Sequence, residues 1–299
     1  MSRHTASVGV ALGLVVTAGV AAQQPANTDA LIATLQKMGE RVEQYFARAQ
    51  SIVCLEMVRL QPLGIGLGPD GFGRNVESEL RLSWDPTSGN SDDAPEAKAM
   101  RQVVKVNGHA PRKDDRDNCT TPEQNATETQ PLSMLLPGQR VKYAFSLVGP
   151  GKLDGRAVVM LDFKELKPVT VAVSEVPGNE DCVSYDINGG MTGRIWIDPE
   201  TFDVLRLDQR LATQVEVRLP RKMTRRAGVS DYWTVERYDS SIRFKPVVFQ
   251  EPNETLVLPI SVSELRLTRG SGIPRLRTTT EYKSYRRFLT GARIVKDPT

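Results

Sequence analysis

Two histidines, three cysteines and 36 aspartates and glutamates make up this chain's stock of side chains with obvious catalytic or metal-binding chemistry. The histidines are His4 and His109, and His4 falls in a segment that reads as removable. One remaining histidine cannot build a multi-histidine metal site. Any Ser-His-Asp arrangement would have to run through His109, which follows an Asn107-Gly108 turn with no identifiable nucleophile beside it. The run Asp114-Asp115-Arg116-Asp117 suggests calcium, yet it lacks the glycine and the spaced final acid of a calcium loop. Arg112, Lys113 and Arg116 also neutralise it. Glycan hydrolysis needs only two carboxylates, and nothing in the spacing singles out a pair. These residues imply a protein that is not an enzyme, with no metal and no cofactor.

The elements that would have to position a site begin after an address. Arg3, the charge-free run Val8 to Val20 and the small residues Val20-Ala21-Ala22 have the layout of a cleaved secretory signal. The apolar run is too short to span a hydrocarbon core of about 30 Å. Residues 1–22 are therefore expected to be removed, and 23–299 to form one exported, soluble domain in the periplasm or outside the cell.

Export places the cysteines in an oxidising compartment. Cys54 lies in the apolar run Ser51 to Leu60 and reads as a buried free thiol. Cys119 and Cys182 lie in polar surroundings that read as loop ends, and a Cys119–Cys182 disulfide is expected. No cysteine pair has the short spacing of a zinc site.

Of the 299 residues, 39% are hydrophobic, 25% charged and 6% aromatic, the composition of a folded water-soluble protein. The formal net charge of +3 is too small to make nucleic acid a default partner. Charge is unevenly spread: residues 200–299 carry 19 Lys/Arg against 12 Asp/Glu. The densest basic run is Arg218, Arg221, Lys222, Arg225 and Arg226. It suits attraction to an anionic membrane surface or an acidic lipid headgroup, but arginines alternating along exposed strands are more often a solvated, edge-protecting face.

Asn27-Thr28-Asp29 offers helix caps, and Leu31, Leu35, Met38, Val42 and Phe46 recur at steps of three and four. The spacing predicts an amphipathic helix ending near Ala49, which needs a sheet to lie on. From Ser51 the period changes to two. Strands are expected over 51–60, 75–84, 101–106, 193–197, 204–211, 214–219, 233–244, 256–262, 263–268 and 277–285. Gly64-Ile65-Gly66-Leu67-Gly68, continuing to Gly71 and Gly73, leads into a strand and not a helix. It reads as a mobile hairpin loop, not a phosphate cradle. Leu132, Leu135 and Leu136 suggest a short helical turn. The clearest hairpin runs through Tyr143, Phe145 and Leu147 and returns through Val159, Leu161 and Phe163, with one wholly apolar face. A second hairpin carries Ile195 and Ile197 on one face and Trp196 on the other. One helix and about eleven strands give a mainly β (α+β) fold, a curved antiparallel half-barrel packed on the N-terminal helix.

The stretch Gly193-Arg194-Ile195-Trp196-Ile197-Asp198-Pro199-Glu200-Thr201, running on to Val204-Leu205-Arg206-Leu207, resembles a strand–turn–strand of exported bacterial proteins, acidobacterial ones included, with the LolA/LolB-like lipoprotein-localisation fold. The order of elements resembles that family over roughly residues 27–290. The resemblance implies an open half-barrel whose apolar concave face is covered by helices and holds acyl chains of lipoproteins or glycolipids. The chain departs from the classical carriers in its length, its loops at 61–74, 85–98 and 110–130, and the lack of an arginine matching the one that gates their cavity.

With or without that resemblance, a curved sheet with an apolar interior and a helical lid must fill the interior or hold something apolar. Tyr143, Phe145, Leu147, Val159, Leu161, Phe163, Ile195 and Ile197 are the candidate lining, although an apolar face of this kind is more often a packed core than a ligand site. The leading expectation is a carrier of a lipid or acylated protein. The alternatives are an envelope interaction module with a filled core and, behind it, a carboxylate-based glycan hydrolase.

Overall fold

The computed structural model describes residues 24–49, 51–85, 96–112, 115, 131–176, 179–219, 232–270 and 275–287. The expected signal segment, Cys119, most of the acidic run at 114–117 and the basic run beyond Arg218 lie outside them.

Helix α1 spans Gln24–Arg48. It starts before the expected caps because Pro25 is tolerated in a first turn, where its missing N–H would bond nothing. Its apolar stripe turns Met38, Val42 and Phe46 fully inward, with Leu31 and Leu35 half-buried beside them. Among the described residues thirteen strands follow, all paired antiparallel: β1 Ile52–Leu63, β2 Arg74–Asp85, β3 Glu96–Val106, β4 Tyr143–Leu153, β5 Arg156–Glu165, β6 Thr170–Val176 and β7 Asn179–Asn188. The rest are β8 Met191–Ile197, β9 Val204–Leu211, β10 Val215–Arg218, β11 Tyr232–Phe249, β12 Glu254–Arg269 and β13 Arg275–Arg287. A 3-10 turn at Ser133–Leu135 and a short helix α2, Pro137–Arg140, precede β4, so the leucine cluster does form a helical turn.

Eleven strands make one open sheet, ordered β3-β2-β1-β13-β12-β11-β9-β8-β5-β4, with β10 added on β11. The helix-plus-antiparallel-sheet architecture expected from the sequence is the observed one. One row of directly paired residues crosses ten strands: Val106, Val76, Val58, Thr280, Val262, Ile242, Leu207, Ile195, Leu161 and Leu147. Opposed residues share a face, so this row defines a single side, apolar at every position but Thr280.

The main core joins Met38, Val42 and Phe46 of α1 to Ile52 of β1, Leu258 of β12, Ile242 and Phe244 of β11 and Leu161 and Phe163 of β5. Strands lie about 4.8 Å apart and a helix is about 10 Å wide. A flat sheet could not bring β1 and β5 to the same helix, so the sheet curls around α1. Register shifts between β1 and β13, β2 and β3, β4 and β5, β8 and β9, and at two points between β11 and β12, supply the bends.

Three expectations are corrected. Residues 256–262 and 263–268 form one strand, β12, because Val262, Ser263 and Glu264 pair without interruption with Ile242, Ser241 and Ser240 of β11. β6 and β7 were not expected. They pair in a separate two-stranded sheet whose Tyr185 ring stands edge-on to Trp233 at 4.5 Å. Cys182 therefore sits within strand β7 and not at a loop end.

Candidate functional site

The interior between α1 and the sheet gathers apolar side chains from many elements of the fold. Leu161, Phe163, Ile195 and Ile197 are fully buried there, while Tyr143, Phe145 and Leu147 are half-buried against them. Val159 opposes Ile197 at the hairpin's end and is half-buried outside that cluster. The eight expected lining residues are thus brought onto one face, seven of them in contact with packed core. Tyr143 stacks edge-on to Phe163 at 6.2 Å, and burial followed by the Glu165 carboxylate pushes its phenol up to about 12. Trp196 takes the opposite face, where the Arg206 guanidinium lies 4.8 Å from its ring.

Open space lies elsewhere on the same face, between the C-terminal half of α1 and strands β1, β2 and β11–β13. It is a slot lined chiefly by Phe46, Ile52, Leu80, Leu82, Ile242, Phe244, Leu258 and Val262, with Tyr282, Tyr285 and Arg101 among its polar lining. Its cavity volume is ≈ 30 Å³, room for little more than a water molecule. In this state the slot is a closed seam. Leu80, Ile242, Leu258 and Val262 were legible as apolar strand positions, but alternation alone did not mark them as the ones beside unfilled space.

A buried ion pair adjoins the slot. Arg101 Nε and Nη2 donate to the two Glu56 carboxylate oxygens at 2.8 and 3.2 Å, and the side chains are 8% and 3% exposed. The strand alternation that turns Cys54 and Val58 inward turns Glu56 inward too. A lone acid in an apolar run was the available signal. Pairing it with Arg101 needed the β1–β2–β3 register, which places Glu56 opposite Ser78 and Arg101 opposite Leu80. Burial, and next the Glu56 charge, push the Cys54 thiol up to about 12, so it stands beside the slot as an inert thiol. Tyr45 and Tyr285 are raised above their ordinary range, first by burial, and remain neutral phenols. The Tyr285 hydroxyl donates to the Pro259 carbonyl.

α1 is tied down by few polar contacts. Arg41 donates from Nε and Nη2 to both carboxylate oxygens of Asp203 at 2.7 and 3.2 Å. The Lys37 ammonium lies 4.6 Å from the Phe202 ring centroid, and Arg287 donates to the Arg48 carbonyl at the helix's end. Asp203 closes the turn after β8, which is built by Asp198. Backbone N–H groups of Glu200 and Thr201 donate to Asp198 Oδ1 at 2.8 and 3.0 Å, and Arg156 donates to its other oxygen. The Asp-Pro-Glu-Thr stretch thus shapes the anchor for the lid.

His109 lies beyond the end of β3, half-exposed, with Nε2 3.7 Å from Asp115 and away from the slot. Among the described residues no three His, Cys, Asp or Glu side chains stand close enough to share a metal ion. No helix among them is long and apolar enough to cross a membrane.

No family model and no curated protein sequence matches the chain. Solved structures do. The chain is similar to a DUF1329 family protein from Desulfovibrio piger (11% identity, 87% of this chain and 93% of that one, TM-score 0.40). It is similar to a LolA superfamily protein from Nitrosomonas europaea (10%, 85% and 94%, TM-score 0.36). It is also similar to a chain of the MucA/MucB complex of Pseudomonas aeruginosa (10%, 84% and 99%, TM-score 0.23). At these values the architecture rests on the strand order and register, and the likeness adds no residue to the site. The fold family that the Trp196 hairpin resembles is the superfamily of one of these matched structures.

Proposed function

We propose that the protein is an exported, non-catalytic carrier that takes an apolar ligand, a lipid or the acyl chain of a lipoprotein, between α1 and the sheet. The observation that carries this reading is the slot beneath α1. It is an apolar seam, nearly closed as it stands, and beyond the burial of Met38, Val42 and Phe46 its cover is held by one accessible ion pair and a few side-chain contacts. Swinging α1 away would expose the seam and, beyond it, the Leu161–Ile195 face as the wall of an opened cavity. Acyl burial would supply affinity at about 0.8 kcal/mol per methylene. The reading rests on the slot and its cover, since a shared fold does not by itself carry a ligand from one protein to another.

The small free volume, ≈ 30 Å³, favours a second reading, an interaction module whose interior is simply filled. A fluorescent fatty-acyl probe separates them. The carrier takes up one probe per chain, with competition by unlabelled lipid. The module takes up none, even when α1 is loosened by Arg41→Ala.

A further inference from the structure

The loop between β1 and β2 places its largest apolar side chains in water. Phe72 is completely exposed and Ile65 is 90% exposed, with Leu67 between them. Single exposed apolar residues are ordinary; three within eight residues of one loop, two of them almost fully bare, are not. The loop is bonded to itself and to the end of β1. The Gly64 N–H donates to the Gly68 carbonyl and the Leu67 N–H to the Gly64 carbonyl, both at 3.0 Å, and the Asp70 N–H donates to the Pro62 carbonyl at 2.9 Å. Gln61 Nε2 donates to the Pro62 and Gly71 carbonyls, and the Gln61 amide packs where a Gly73 side chain would stand. Gly71 holds φ at +78°, a conformation that glycine adopts without strain. This backbone is built to stand off from the sheet with its apolar side chains pointing away.

The loop's base is basic. Arg74 is the first residue after it, opposite Leu60. Leu63, the last residue before it, is opposite Arg275, and Gln61 is opposite Arg277. Arg59 lies two residues earlier on the same face as Arg277, and both are exposed. Arg74, opposite the buried Leu60, lies on the other face, and Arg275 Nε donates to the Thr268 carbonyl at 3.3 Å, so the exposed cations are Arg59 and Arg277, and the loop itself carries one acid, Asp70. Apolar groups at a projecting tip above a pair of exposed cations match the cross-section of an anionic bilayer, where acyl chains lie beneath charged headgroups.

We infer that the 64–73 loop is a membrane-docking element, with Phe72 and Ile65 entering the headgroup boundary of an anionic bilayer while Arg59 and Arg277 pair with its phosphates. This goes beyond the carrier reading and does not depend on it. The loop sits at the end of β1 and β2 and shares no residue with the slot.

The mature chain mixed with phosphatidylcholine vesicles, with and without phosphatidylglycerol, tests it. Binding is expected only when the anionic lipid is present, and it weakens with added salt. Phe72→Ser with Ile65→Ser lowers the affinity roughly tenfold or more, and Arg59→Gln with Arg277→Gln lowers it by a similar factor. Phe72→Trp reports insertion directly through a blue-shifted emission that brominated lipid quenches. Thermal unfolding and acyl-probe uptake of the Phe72 and Ile65 variants stay as in the parent, since the side chains touch neither core nor slot. The inference is overturned if neither vesicle binds, if both bind equally, or if the Ser variants bind as well as the parent. It is equally overturned if the emission of the Phe72→Trp variant responds only to an added protein partner.

Discussion

At the scale of single residues, the chemistry is that of burial. Glu56 and Arg101 share two hydrogen bonds in a place with almost no water, so each tolerates burial only because of the other. Arg101→Met strands a buried carboxylate and is expected to cost about 3–5 kcal/mol. The double variant Glu56→Leu/Arg101→Met should recover most of that loss in urea unfolding. If the double variant is no better than the single, the pair is not coupled as drawn. Cys54 gives a second check. With its thiol pushed up to about 12 and buried, it should resist alkylation at neutral pH until the chain is unfolded. Rapid labelling in the native state would contradict its placement.

Asp198 sets an acid limit. Burial raises its carboxyl, but the N–H groups of Thr201 and Glu200 together with Arg156 outweigh that and hold it below the usual range. A lowered folded value means the turn's contribution is complete above the unfolded carboxylate pKa of about 3.9 and is lost as pH falls through the folded value. Stability should therefore drop in acid, and Asp198→Asn should flatten that acid limb while lowering stability at neutral pH. Of these residues, Cys54 alone was correctly assigned before the fold was known, because a thiol in an apolar run needs no partner. Glu56 and Arg101 are 45 positions apart and meet only through two strand registers.

At the scale of elements, hairpins were the most legible feature. The Tyr143–Phe163 and Ile195–Leu207 hairpins show alternation strong enough to fix the face, though not the register shifts at Leu147/Gly149 and Trp196/Ile197. Their junction is fixed by something alternation does not reveal. A side chain at Gly193 would meet the Asp208 carbonyl at 2.0 Å and the Phe163 ring at 2.7 Å. Gly193→Ala should thus cost about 3 kcal/mol in thermal or urea unfolding, at the upper end for an overpacked position. An effect below about 1 kcal/mol, the lower end of that range, would mean the β5–β8–β9 junction is looser than described. Helix α1 was legible by its period, but its latch was not. Arg41 and Asp203 lie on surface positions of different elements, and surface charges give no sequence signal of pairing. Arg41→Ala should lower stability by only about 0.5–1 kcal/mol, as for a partly exposed pair. β6 and β7 escaped notice although Val169-Thr170-Val171-Ala172-Val173 is rich in β-branched residues, because the pair stands apart from the main sheet and alternates weakly.

At the scale of the whole molecule, one side of an open eleven-stranded sheet is closed by a single helix. Its seam is apolar but nearly shut. The sequence specified that the face would be apolar, since alternation does so strand by strand. It could not specify whether the space would be full, because that depends on how tightly α1 and the 132–136 turn settle on strands drawn from both ends of the chain. A carrier with this geometry must trade α1 for ligand. Loosening α1 should then raise the rate of uptake even as it lowers stability, whereas a filled module would lose stability and gain nothing.

The most direct measurement is native mass spectrometry of the protein purified from its native source, repeated after organic extraction and after incubation with a fatty-acyl probe. The carrier account predicts a stoichiometric lipid or acyl adduct that extraction removes and the probe restores, faster in Arg41→Ala. A clean apo mass throughout, with no probe bound by either the parent or Arg41→Ala, would contradict it.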